Sequence, residues 1–385
     1  MQLSQRVQNI SASQSLVMAA RAKEMKASGI DVISMSLGEP DFDTPLHIRR
    51  AAQEAIDNHF SHYGPVPGIP SLREAIANNY QSSIVNYQFS DVIVSVGAKM
   101  AIYNAIQTVI NPGDEVIIPM PSWVSYTEMV KLAEGTVVPV ETTFEENYCL
   151  TPAKLRAAIT PRTRMIILCS PNNPTGSVYT RAQLEELIAV LRDFPEVTIL
   201  SDEIYNALVY DVEAPSLASF PELADRLVII NGVSKSYAMT GYRIGWLLCK
   251  NKAFIAACTR LQGQQLTCAT MVAQKAAEAA ITGSQECVKE MRQVFATRRE
   301  LICRLASEIP GFKFREPQGA FYLFPDVSAI GSGDEVAELL LDKAHVAVVS
   351  GSAFGCPSCI RLSYAISTDE ITEALRRIKS VLTHN

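Results

Sequence analysis

From about residue 91 onward, short runs of β-branched and other apolar residues alternate with longer stretches of helical period. The runs fall at residues 92–94, 116–118, 137–138, 165–168, 197–200, 227–230 and 244–248. Several are continuously apolar rather than alternating, which suits strands buried on both faces. Amphipathic segments such as residues 181–192 separate several of them. Strands interleaved with helices in this way predict a mostly parallel sheet clad on both sides, a three-layer α/β/α domain.

After about Gln285 the texture changes to a long helical segment reaching Arg304. Short strands around residues 321–323, 346–349 and 360–362 follow. This predicts a second, smaller α+β domain. Two domains also suit the length, since 385 residues exceed the usual single-domain size of about 100 to 200.

Hydrophobic residues make up 48% of the chain and charged residues 19%, an ordinary globular balance with no disordered tract. A net charge of -6 without a basic run argues against nucleic acid as a partner. The first residues carry no apolar core of the signal-peptide kind, and no run of 18 apolar residues occurs, so no membrane partner and a cytoplasmic address are expected. Nine scattered cysteines do not form a disulfide framework. Cys356 and Cys359 make a C-x-x-C, but no second pair or nearby histidine completes a zinc site, and free thiols in a loop before a strand are expected. The five histidines show no metal-binding spacing.

In a parallel sheet ligands bind beyond the carboxyl ends of the strands. Gly97-Ala98, Asp202 and Lys235 each stand at or just after such an end, which brings distant residues to one rim. The stretch from Asn231 to Trp246 is the most informative. An amine that must form a Schiff base with an aldehyde needs a fixed lysine of lowered pKa, and a nearby cation both depresses that pKa and holds a phosphate. Lys235 and Arg243 supply those two parts. Gly97-Ala98-Lys99 opens a helix, whose free N–H groups and dipole suit a phosphate. The Walker A, H-E-x-x-H, G-x-S-x-G and G-x-G-x-x-G motifs are absent.

The Lys235 segment resembles the cofactor-lysine motif of the class I aminotransferases, fold-type I enzymes that use pyridoxal 5'-phosphate. Further motifs stand in the family's order: residues 36–42 (SLGEPDF), Tyr63-Gly64, residues 170–176 (SPNNPTG), residues 201–205 (SDEIY) and 361–364 (RLSY). The likeness covers almost the whole chain and is closest to the bacterial branch of aspartate aminotransferases.

The resemblance implies a role for each matching residue. Asp202 pairs with the pyridine nitrogen and keeps the ring cationic. Asn173 and Tyr205 hydrogen-bond its phenolate oxygen, and Trp123 stacks on the ring. Gly97, Ala98, Lys99, Ser234 and Arg243 surround the phosphate. Some relatives carry a serine three residues before the lysine, where this chain has Gly232. Tyr63 reaches the phosphate of the neighbouring subunit, which implies a homodimer with shared sites. Gly38 and Arg361 clamp the substrate's α-carboxylate, the arginine in bidentate fashion. Lys99 grips the side-chain carboxylate, aided by Ser13 or Ser15, and Trp123 and Asn173 also border the substrate. Read alone, Asp202 would be a helix cap, Asn172-Asn173-Pro174 a turn, Trp123 core, and Lys99 and Arg361 solvated surface residues.

The implied architecture joins residues 1–46 to a small domain of residues 286–385, with residues 47–285 as the large cofactor domain. The implied reaction is a ping-pong transfer of the amino group of L-aspartate to 2-oxoglutarate, with Lys235, Asp202 and Tyr205 as catalytic residues and no metal. Prephenate, aromatic and alanine aminotransferases and carbon–sulfur β-lyases share the scaffold. So do ligand-sensing domains of transcription regulators, which the roughly 30 residues before Gly38 leave no room to equip with a DNA-binding module.

Overall fold

The computed structural model describes residues 1–12, 14–81 and 85–383, apart from the side chains of residues 14–16. After the short strand β1 (Ile33–Ser34) come β2 (Val92–Val96), β3 (Glu115–Met120), β4 (Thr136–Glu141), β5 (Thr163–Cys169), β6 (Thr198–Asp202), β7 (Leu227–Gly232) and β8 (Ile244–Leu248). The last seven build one sheet in the order β2-β8-β7-β6-β5-β3-β4. Each expected run falls on one of these strands, the run at 197–200 beginning one residue before its strand. β8 runs antiparallel to both β2 and β7, and the remaining pairs are parallel.

Side chains alternate across a strand, and both faces of this sheet are apolar. On β5, Ile166 and Leu168 pack in one core with Leu184, Leu187 and Ile188 of the helix Arg181–Leu191. Met165 and Ile167, between and beside them, pack in a second core with Ile102 and Ile106 of the helix Gly97–Val109. Two cores on one sheet make three layers.

The connection from β2 into that helix has no intervening loop, and it depends on two bare α-carbons. Gly97 adopts a φ of +77°, and a β-carbon there would come within 2.5 Å of Arg243 Nη2. At Gly245 a β-carbon would overlap the Ala98 amide. The helix N-terminus is thereby seated directly on β8.

A third core gathers the C-terminal elements. The helices Glu286–Ser307 and Thr368–Thr383 pack with β9 (Tyr322–Leu323) and β12 (Ile360–Ser363) through Phe295, Ile302, Leu362 and Ile371. Ile33 and Met35 join this core, and β1 pairs in parallel with β10 (Val346–Ala347). β11 (Val349–Ser350) and β9 flank β12 antiparallel on either side. Tyr205 and Leu208, just past β6, also belong to it, so the two halves of the chain meet at the carboxyl rim of the sheet. Among the described residues no helix is long and apolar enough to cross a membrane.

Candidate active site

At that rim lies a cavity of about 670 Å³. Asp202 is the last residue of β6 and forms its floor. Its Oδ2 accepts from Tyr126 Oη at 2.6 Å and its Oδ1 from the Ile204 amide at 3.1 Å. Burial raises its pKa to about 6, against the lowering by these hydrogen bonds and by Lys235. A carboxylate so placed is a strong acceptor for a cationic group entering the cavity.

Lys235 follows β7 on the one-turn helix Val233–Ser236, and its Nζ donates to the Gly38 carbonyl. Burial lowers its pKa to about 8, with Arg361 and Arg243 pushing the same way and Glu39 and Asp202 opposing. A pKa near 8 leaves far more of the amine neutral at physiological pH than in an ordinary lysine, and the neutral amine is a nucleophile and a base.

Opposite, Lys99 and Arg243 face each other across the helix N-terminus. Lys99 Nζ stands 4.9 Å from the Trp123 ring centre, and partial desolvation at the cavity wall first, then the Arg243 charge, lowers its pKa, although the residue is exposed in the single chain. Arg243 takes a left-handed φ of 56°, which costs a non-glycine residue about 1–3 kcal/mol and is met mostly at functional sites. Its Nη1 donates to the Thr240 carbonyl at 2.9 Å. Ser234 lines the same side, buried. Gly232 is extended (φ 176°) at the end of β7, paired with Gly245 of β8, where a β-carbon would approach the Ile244 carbonyl to 2.9 Å.

Arg361 projects from β12 and is 3% exposed, which overturns the reading of a solvated strand-edge arginine. Its Nη1 donates to Asn173 Oδ1 at 2.9 Å and its Nη2 to the Ser36 carbonyl at 2.7 Å, while its Nε has no partner. The guanidinium carbon lies 4.4 Å from the Tyr322 ring centre and 4.9 Å from that of Phe354. Burial lowers its pKa, yet an arginine stays charged, so the group carries an unneutralised buried cation. Tyr205 and Tyr322 share a hydroxyl hydrogen bond of 2.7 Å beside it.

Gly38, Ala98, Lys99, Trp123, Asn173, Asp202, Tyr205, Ser234, Lys235, Arg243 and Arg361 all line the cavity. Gly97 abuts Arg243 from the helix start. Tyr63 does not line it and is 89% exposed within this single chain. Ser13 and the side chain of Ser15 lie outside the described residues. The sequence reasoning passed over Tyr126, Tyr322, Glu39 and Phe354.

The donor set suits pyridoxal phosphate. Two cations and a helix N-terminus offer a place for an anionic phosphate, and a buried carboxylate and an amine of lowered pKa line the same cavity. The sequence matches the family described as aminotransferase class I and II over residues 30–378. The chain belongs to that family. An aspartate aminotransferase of Bacillus sp. (strain YM-2) is 46% identical, with 98% of each chain covered. An aspartate/prephenate aminotransferase of Nitrosomonas europaea is 42% identical over the full length of both. Among solved structures, the aspartate aminotransferase of Rhizobium meliloti superposes with a TM-score of 0.96 at 38% identity, covering 100% of this chain and 99% of the other. That of Thermus thermophilus with maleate gives 0.94 at 39% identity, covering 99% and 100%. As a class I aminotransferase the protein takes pyridoxal 5'-phosphate as cofactor.

Proposed function

We propose that this aminotransferase moves the amino group of L-aspartate to 2-oxoglutarate, as a cytoplasmic homodimer in which residues 1–46 and 286–385 form the smaller domain. The observation that carries the reading is that Lys235, whose amine has a depressed pKa, lines one cavity with buried Asp202 and buried Arg361 and feels the charge of both. The names of the Bacillus and Rhizobium relatives support aspartate as donor.

The bound cofactor supplies an electron sink that lets the amino acid's α-proton leave. Lys235 is the residue that would join the cofactor's aldehyde and, once released by substrate, would carry the α-proton between two carbon atoms as general base and acid. Asp202, held by Tyr126, would keep the ring nitrogen protonated. Arg243, Ser234 and the amides after Gly97 would hold the phosphate, with Tyr63 contributed by the second subunit. Trp123 would cover the ring, and Asn173 and Tyr205 would donate to its oxygen. Arg361 and the Gly38 segment would bind the α-carboxylate, and Lys99 the side-chain carboxylate.

Prephenate as a further acceptor is the second reading, favoured by the Nitrosomonas europaea relative's name. A panel of amino donors against 2-oxoglutarate and prephenate, with purified protein and added cofactor, tests both. Aspartate should be the best donor. Preference for alanine or an aromatic donor would overturn the aspartate reading.

A further inference from the structure

The C-x-x-C that no part of the proposed reaction uses sits in the loop leading into β12. Cys356 and Cys359 place their sulfur atoms 3.2 Å apart with a thiol hydrogen between them. The Cys359 amide donates to the Cys356 carbonyl at 3.1 Å, closing a turn with Pro357 at its second position. Such a turn keeps the two α-carbons within about 7 Å, the span of a disulfide. Cys359 is fully buried, while Cys356 is half-buried between exposed Gly355 and Pro357. The hydrogen bond shared by the two thiols holds Cys356 below the usual range and pushes Cys359 up. One sulfur is thus a reachable thiol of lowered pKa and the other a protected resolving thiol.

We propose that Cys356 and Cys359 form a reversible disulfide that loosens the carboxylate clamp at Arg361. The oxidant is a low-molecular-weight disulfide, RSSR. The Cys356 thiolate attacks one of its sulfurs, the S–S bond breaks, and the first RS⁻ leaves and takes up the proton that Cys356 had lost. Cys359 then gives up its proton and attacks Cys356 Sγ, expelling the second RS⁻, which takes that proton. The two cysteines lose two electrons and two protons, and RSSR becomes two RSH.

The link to the clamp is mechanical. Closing 3.2 Å to a covalent distance of about 2.05 Å requires one side to move. Cys359 is fixed: its carbonyl accepts from the Gly351 amide at 2.7 Å, and it adjoins β12. The motion therefore falls on Cys356, whose amide donates to the Gly351 carbonyl at 2.9 Å and so passes it to the segment Gly351–Phe354. The Phe354 ring lies 4.9 Å from the Arg361 guanidinium carbon, and the Phe354 carbonyl accepts from Ser122, next to Trp123. The inference rests on Arg361 as the carboxylate clamp, so its test separates the bond from the clamp.

The reduced holoenzyme is treated with oxidised glutathione. Peptide mass mapping should find one internally cross-linked peptide carrying Cys356 and Cys359, two hydrogens lighter, and dithiothreitol should restore it. In the oxidised enzyme KM for aspartate and alanine should both rise by at least about threefold, with kcat changed less. Binding of succinate, measured by calorimetry, should weaken by a similar factor without any turnover. Cys356→Ser and Cys359→Ser should keep the basal rate and lose the response. Absence of the cross-link, or a cross-link that leaves succinate affinity unchanged, overturns the proposal. A reduced enzyme inactive with every donor would instead sink the functional reading, while the mass and calorimetric results still decide the switch.

Discussion

Arg361 Nη1 donates to Asn173 Oδ1 at 2.9 Å, although 188 positions separate the two residues. The side chain assigned to the substrate carboxylate is therefore tied to one assigned to the cofactor ring. Substrate entering the clamp would pull on the same amide that tunes the ring oxygen.

This coupling sets the first prediction. Removing one partner of a desolvated charge pair costs about 2–5 kcal/mol, so Arg361→Ala should lower kcat/KM for every amino donor by roughly two orders of magnitude or more. Asn173→Ala should cost less. Because the two touch, the double variant should lose less than the product of the single effects. Strict additivity would show that the hydrogen bond does not survive in the working enzyme.

Lys235 offers a pH signature. A depressed pKa means that the nucleophilic free amine appears at lower pH than for an ordinary lysine, so in the apoenzyme the rate of cofactor loading should climb with pH and level off above a midpoint near 8. Spectroscopic loading rates across a pH series would show it. A midpoint near the ordinary lysine value of about 10.4 would mean that burial does not depress this amine. Lys235→Ala should fold, by circular dichroism, and catalyse no transamination.

Tyr126 bears on the opposite limb. Its hydroxyl hydrogen bond lowers the pKa of Asp202, which burial otherwise raises. Tyr126→Phe removes that lowering, so Asp202 should take up its proton at higher pH. The acid limb of kcat/KM should shift upward while the alkaline limb stays put. An unchanged acid limb would detach Asp202 from the step that this limb reports.

Much of this arrangement was legible in the chain. The strands of the large sheet read clearly because burial on both faces makes them continuously apolar, as at Ile166, Ile167 and Leu168. The antiparallel sense of β8 was not legible, since its run of residues looks like its parallel neighbours. Lys235, Asp202 and Arg243 were found through motifs around them. Tyr126 against Asp202 and Tyr322 against Arg361 were not, because each contact joins distant positions through the fold and leaves no local spacing to read. Depressed or raised pKa values likewise follow from burial, which only the packed chain reveals.

Tyr63 tests assembly. It is 89% exposed in the single chain, so its assignment to a phosphate requires a second subunit. Tyr63→Phe and Lys235→Ala chains, each impaired, should form hybrid dimers in which one of the two sites carries neither lesion. Mixing after reversible dissociation should raise activity above either parent. No gain, in hybrids confirmed by mass, would place Tyr63 at its own chain's site or at none.

Lys99 separates the aspartate reading from its rivals. Its Nζ faces the cavity over Trp123, and the charge acting on it is the like charge of Arg243, so it is free to take an anionic partner. If that partner is the substrate's side-chain carboxylate, Lys99→Ala removes a charge-assisted contact worth about 1.5–3 kcal/mol. kcat/KM for aspartate and glutamate should then fall by roughly tenfold to more than a hundredfold. Alanine and phenylalanine have no such carboxylate, and their values should change far less or rise. Lys99 also stands on the first turn of the helix beside Arg243, where a phosphate would feel it. A uniform loss across the four donors, together with weaker cofactor retention on dialysis, would assign Lys99 to the phosphate and leave acidic-substrate selection to another residue.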